Sequence, residues 1–298
     1  MARLSILLIT VALIAGTAGC SLFPPRSIEI RTWHDLDAVR NNLRGHYILM
    51  NDLDSTTAGY EELASPTANE GKGWHPIIGA GGDPPFTGTF DGQGYEIRDL
   101  FINLPGIGYV GLFSIVGEGG VVQNVGVMNG NVTSTAYIGG LVGVNLGTVS
   151  NSYFTGSVSS INWAGGLVGF NGEGATVSSS YSTGSVTSQY GVGGLVGANN
   201  GTVSNSYSTG SVSGSGDVGG LVGYSEGTVS NSFWDVQTSG QVTSAGGTGK
   251  TTAEMQDIAT FSGAAWNIIA VANPGTRNPS YIWNIVNGVT CPFLSWQS

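Results

Sequence analysis

The sequence predicts an all-β solenoid, and three observations carry that prediction. A block recurs four times from Ile138, with first glycines at Gly139, Gly165, Gly193 and Gly219, spaced 26, 28 and 26 residues apart. A unit this short cannot bury an apolar face by itself, so identical neighbours must stack to make a core. Within each block, Val149 to Tyr153 and Val203 to Tyr207 place serine at every second position, which is the period of a strand and not of a helix. Gly-Ser and Gly-Thr clusters punctuate the blocks at the spacing of corners, and no run inside them has helical spacing.

If each block is one coil, equivalent residues stack about 4.8 Å apart. The expected ladders are Val149, Val177, Val203 and Val229; Tyr153, Tyr181, Tyr207 and Phe233; and Val158, Val186, Val212 and Val242. Strict alternation puts valine, asparagine and tyrosine on one face and the serines on the other, with Asn151, Asn205 and Asn231 as an amide ladder interrupted at Ser179. Leu141 and Val142 have opposite parity, so both can face inward only where a glycine bends or bulges the strand.

The run from Gly193 to Gly197, followed by Gly201 to Val212, resembles the GLUG motif of bacterial surface adhesin-like proteins and of some IgA-specific metallopeptidases. That resemblance implies a right-handed parallel β-helix in an exported, surface-associated protein. It implies no reaction, because the motif is structural.

Residues 1–19 read as a signal peptide: Arg3 supplies the positive start and Leu4 to Ile14 an apolar stretch too short for a stable span. Ala18, Gly19 and Cys20 resemble a lipobox, although Thr17 stands where leucine is usual. The resemblance implies acylation of Cys20, with residues 20–27 as a tether and the membrane as a partner through the anchor. A simple secretory leader with an incidental cysteine is the other reading. Residues 28–137 are expected to hold an N-terminal cap and about two irregular coils. Trp33, Leu36, Val39 and Leu43 lie at helical spacing, giving a helix that lids the first coil, with Tyr47 opening the first strand. Residues 52–85, with four prolines, form an excursion. The four regular coils occupy 138–249. In 250–298, Thr251 and Glu254 suit a capping box, and Trp266, Trp283 and Trp296 are expected to form a C-terminal cap on the final coil.

Composition narrows the chemistry. The net charge is −10, and no lysine or arginine occurs between Arg98 and Lys250. Nucleic acid is therefore excluded as a partner, and the coil surface lacks the base that lyases on similar helices use. Gly246 to Thr251 imitates a phosphate loop, but Ser244 stands where the pattern needs glycine. Glu173 and Glu226 occupy equivalent turns two coils apart, about 9 to 10 Å, near the upper limit for an inverting glycosidase pair. His34, His46 and His75 lack ligand spacing, and Asn51, Asp52 and Asp54 read as turn chemistry, so no metal or cofactor is expected. Cys291 reads as a small buried hydrophobe. Tyr137, Trp163 and Tyr190, with Phe170 and Tyr224, could form an exposed strip for a ligand.

The expected function is an exported, lipid-anchored, non-enzymatic adhesin-like or structural module of the cell envelope, engaging extracellular protein or glycan. A glycan-binding module and a polysaccharide-active hydrolase are the alternatives.

Overall fold

In the computed structural model the described residues are 26–77 and 84–297; the leader and Cys20 lie outside them. Each repeat contributes strands to four walls. In the first regular coil these are Ala136–Gly139, Val142–Asn145, Thr148–Ser150 and Tyr153–Ser159. Every strand pairs in parallel with its equivalents above and below, and the walls contain four, five, eight and ten strands. Register is strict: Val149 pairs with Val177, Val177 with Val203, and Val203 with Val229. The chain is a parallel β-solenoid, and its valine ladder is buried throughout the interior save the partly buried Val229 at the last coil.

The Gly-Gly-Leu-Val-Gly run is a corner and not a strand. One strand ends at Gly139 and the next begins at Val142 in a different wall, so Leu141 and Val142 both point inward and are fully buried. A Cβ on Gly139, Gly165, Gly193 or Gly219 would come within 2.3, 2.0, 1.9 or 1.9 Å of the carbonyl oxygen three residues on, so the turn admits no side chain there.

A second corner overturns the expected alternation. Asn151, Ser179, Asn205 and Asn231 adopt left-handed backbone, with φ of 48°, 47°, 48° and 47°, a conformation asparagine tolerates better than most residues. This resets the parity. Ser152, Ser180, Ser206 and Ser232 turn inward and Tyr153 turns outward, to the opposite side of the wall from Val149. Each buried serine donates to the carbonyl two residues earlier, at 2.7 to 2.8 Å. Each also accepts from a backbone N–H of the preceding coil, as Ser180 does from Ser152 at 3.1 Å.

The interior amide ladder likewise runs elsewhere than expected. Asn145 donates to Asn171 and Asn171 to Asn199, both at 2.8 Å, and Asn199 ends on Ser225 at 3.1 Å. All three asparagines are fully buried. Val242 belongs to no ladder; it is 85% exposed beyond a one-turn helix at Val236–Ser239.

Four strands of the eight-stranded wall precede the repeat, and the first is Ile28–Ile30 rather than the one containing Tyr47. The helix Trp33–Asp37, opened by a Thr32–Asp35 capping box, sends Trp33 and Leu36 into the core. The 52–85 excursion holds a one-turn helix at Tyr60–Leu63 and a turn at Ala68–Gly71 with left-handed backbone at Asn69 and Glu70, and it buries Trp74.

The C-terminal segment covers apolar surface as a cap does, but the surface is a flank. Its helix Thr252–Met255 carries the Thr251–Glu254 capping box, and a second helix follows at Ile258–Ser262. The chain then returns down the outside of the coils. Trp266 packs on Phe233, Trp283 on Tyr207 and Tyr181, and Trp296 on Tyr153. The end of the final coil is met instead by residues 243–247, where Ser244 accepts from the N–H groups of Leu221 and Val222.

Candidate binding surfaces

Outward aromatic side chains cluster where two walls meet, and they come from two ladders. Tyr137 and Trp163 share a register position with Gly191 and Asp217, and all four adopt left-handed backbone. Phe170 and Tyr224 are in register with Ile115, Val144 and Ala198 one wall over. Tyr190 stands one position ahead of the first ladder, opposite Asn162 and Gly216, and is 54% exposed. The strip thus unites four of its five expected members, with Tyr190 beside them.

Ring geometry defines what the strip can hold. Tyr137 and Trp163 lie nearly parallel, 9° apart with centroids at 6.2 Å. On its other side Trp163 lies against the backbone of Gly191, where an added Cβ would come within 2.1 Å of the indole. Tyr137 and Gly191 thus flank the partly buried indole on its two sides, which narrows the face open to a sugar ring. Phe170 meets Tyr137 edge-on at 5.8 Å, and Tyr109 joins at 5.6 Å. Tyr109, Ile115, Tyr137, Val144, Leu146 and Phe170 enclose an apolar hollow of about 250 Å³. Tyr109, Ile115, Val144 and Leu146 were not anticipated. Tyr109 could have been, since Tyr109-Val110-Gly111 mirrors Tyr137-Ile138-Gly139 one coil later.

The other candidate groups are engaged elsewhere. The carboxylate of Glu226 accepts from the Tyr224 hydroxyl at 2.6 Å, and Glu173 sits exposed in its turn. Asp54 accepts from Thr56 and Thr57, which holds its carboxyl below the usual range, and Asp52 pairs with Arg98 at 3.3 Å. Among the described residues no three His, Cys, Asp or Glu side chains gather as a metal centre requires. Residues Thr248–Lys250 form a strand beside Phe233–Asp235, not a phosphate loop. Burial pushes the Cys291 thiol up to about 11, away from a nucleophile's range. One buried ionic group escaped the sequence reading. Glu96 pairs with Arg98 at 2.6 Å and accepts from the Tyr153 hydroxyl, tying the irregular coils to the tyrosine flank.

The GLUG motif matches residues 134–159 and 188–213. Halomucin of Haloquadratum walsbyi is 33% identical over 150 residues, covering 49% of this chain and 2% of halomucin. A Gly-rich membrane protein of Evansella cellulosilytica is 36% identical over 129 residues, 41% of this chain and 14% of that protein. The chain thus spans only a small part of these relatives' length. A solved Bacteroides ovatus protein named as an immunoglobulin A1 protease superposes with a TM-score of 0.67 over 92% of this chain and 93% of its own, at 20% identity; that likeness concerns the fold alone. The GLUG motif is thus matched in two coils, and the same register runs through all four.

Proposed function

We propose that this protein is an exported, lipid-anchored, non-enzymatic module of the cell envelope that engages protein partners through the apolar hollow around Phe170. The observation that carries the reading is the hollow itself: outward rings from successive coils that no segment of the described chain covers. Exposed aromatic and aliphatic side chains gathered in one concavity are the usual anchor site of a protein interface. Relatives named as a halomucin and a membrane protein support the envelope location. Attachment through Cys20 rests on the lipobox resemblance of Ala18, Gly19 and Cys20. The glycan alternative at this strip has less support, because Tyr137 and Gly191 flank the Trp163 indole on its two sides. The hydrolase alternative is weakened by the bond that ties Glu226 to Tyr224.

The test is display of the full chain on cells, with retention measured on immobilised extracellular proteins and on glycan surfaces. Protein-dependent retention lost in Phe170→Ser supports the reading, and retention unchanged by that substitution overturns it. Labelling by a palmitate analogue is expected to vanish in Cys20→Ala; persistence would remove the anchor from the proposal.

A further inference from the structure

Where the C-terminal segment returns along the tyrosine flank, a cleft of about 400 Å³ opens between it and the left-handed corners of the coils. Asn124 and Asn151 line it from the coil side, and Asn267, Tyr281, Ile282 and Trp296 from the returning segment. Its size falls near the small end of ligand pockets, roughly 300 to 1,000 Å³. Its chemistry is mixed and uncharged.

The polar groups are partly engaged and partly open. Asn151 donates to the Asn124 carbonyl at 3.2 Å, and Asn124 donates to Asp91 at 3.0 Å. The Asn267 carbonyl accepts from the Ile282 N–H at 2.6 Å. Among the described residues this leaves the Asn267 amide N–H groups, the Asn151 carbonyl and the Tyr281 hydroxyl without protein partners. Trp296 has one face on Tyr153, at 5.7 Å.

Three ligand classes can be weighed against this lining. An ion would lose hydration and gain no counter-charge, since no Lys, Arg, Asp or Glu lines the cleft. A purely apolar ligand would dry the amides and hydroxyls without replacing their bonds. A neutral polyhydroxylated ring satisfies both surfaces: its hydroxyls exchange bonds with Asn151, Asn267 and Tyr281, and its C–H face meets the rings and Ile282. We propose that this cleft is a binding site for a neutral saccharide of one or two rings. It is separate from the Phe170 hollow and stands or falls without it.

The full chain would be titrated with maltose, cellobiose, lactose and N,N′-diacetylchitobiose, and with digalacturonate as an acidic counter-probe, following tryptophan fluorescence and ligand-observed NMR. At least one neutral disaccharide is expected to bind. Its affinity should fall about tenfold or more in Tyr281→Ala and in Asn267→Asp, which keeps the acceptor for Ile282 but removes the amide donors. Phe170→Ser should leave it unchanged. The proposal is overturned if no neutral disaccharide binds at about 10 mM, if neither cleft substitution weakens binding, or if digalacturonate binds more tightly than all four.

Discussion

Tyr153, Tyr181 and Tyr207 stack with centroids at 4.9 Å and planes within 6° on one flank, while Tyr109, Tyr137 and Trp163 climb another at 5.6 and 6.2 Å. Both ladders have one cause, an aromatic residue at an equivalent position of successive parallel coils. Their environments differ completely. The first is covered by Trp266, Trp283 and Trp296, and each hydroxyl has a partner: Tyr153 donates to Glu96, Tyr207 to the Pro292 carbonyl at 2.5 Å, and Tyr181 accepts from Gln297 at 2.6 Å. The second keeps its outer rim open. Register alone raises an aromatic strip on a solenoid; whether the strip becomes core or contact surface depends on a cover supplied from elsewhere in the chain.

The strongest way to break this contrast is to remove the cover. Trp283 is 1% exposed and touches two rungs of the buried ladder, so Trp283→Ala is expected to cost about 3 to 5 kcal/mol in urea unfolding. A loss under about 1 kcal/mol would mean the flank is not core. The same substitution should speed alkylation of Cys291, whose thiol burial otherwise holds at about 11. Alkaline pH probes the buried ladder next. Burial raises the folded pKa values of Tyr153, Tyr181 and Tyr207 above the unfolded value near 10. The stabilisation is therefore complete below pH 10 and declines as pH climbs beyond it, by about 1.4 kcal/mol per pH unit for each tyrosine. Urea midpoints from pH 9 to 11 should show this slope, and Tyr207→Phe should remove one tyrosine's share. A flat profile would place the hydroxyls in water.

A third ladder separates burial from stacking. Asn171→Ala takes one acceptor from the Asn145 amide and leaves the buried Asn199 side-chain oxygen without its donor, and should cost about 2 to 3 kcal/mol. Asn151→Gly, at a left-handed corner that glycine adopts freely, should lie within about 0.5 kcal/mol of the wild type. If the two cost the same, the interior amides do not hold the coils in register. The smallest expected stability effect is at the hollow beside the open ladder. Phe170→Ser should change stability by about 0.5 kcal/mol or less while reducing retention of displayed cells about tenfold.

Much of this was legible because a solenoid repeats its own pattern. Val149, Val177, Val203 and Val229 could be stacked from spacing alone, since a parallel coil of fixed length has one register. Val242 could not be placed by the same rule, because the chain leaves the coil at the Asp235-capped turn. Tyr153 was assigned the face of Val149 because alternation assumes a continuous strand, and the left-handed backbone at Asn151 interrupts it. The amide ladder of Asn145, Asn171 and Asn199 was invisible for a related reason. An asparagine in the run Val-Gly-x-Asn carries no local mark of burial, and the amide of the adjacent coil, 26 or 28 residues away, gives it a buried partner.

Sequence by itself determined that coils stack, which residues lie level with one another, and that the interior wall is valine. Those properties are periodic, and periodicity is local information repeated. The three-dimensional fold decided which side of the wall each ladder faces and which of two aromatic strips is covered. A single residue at a corner reverses the facing of everything after it, and the covering segment arrives from a hundred or more residues away, for Tyr153 and Trp296, at a position no repeat specifies.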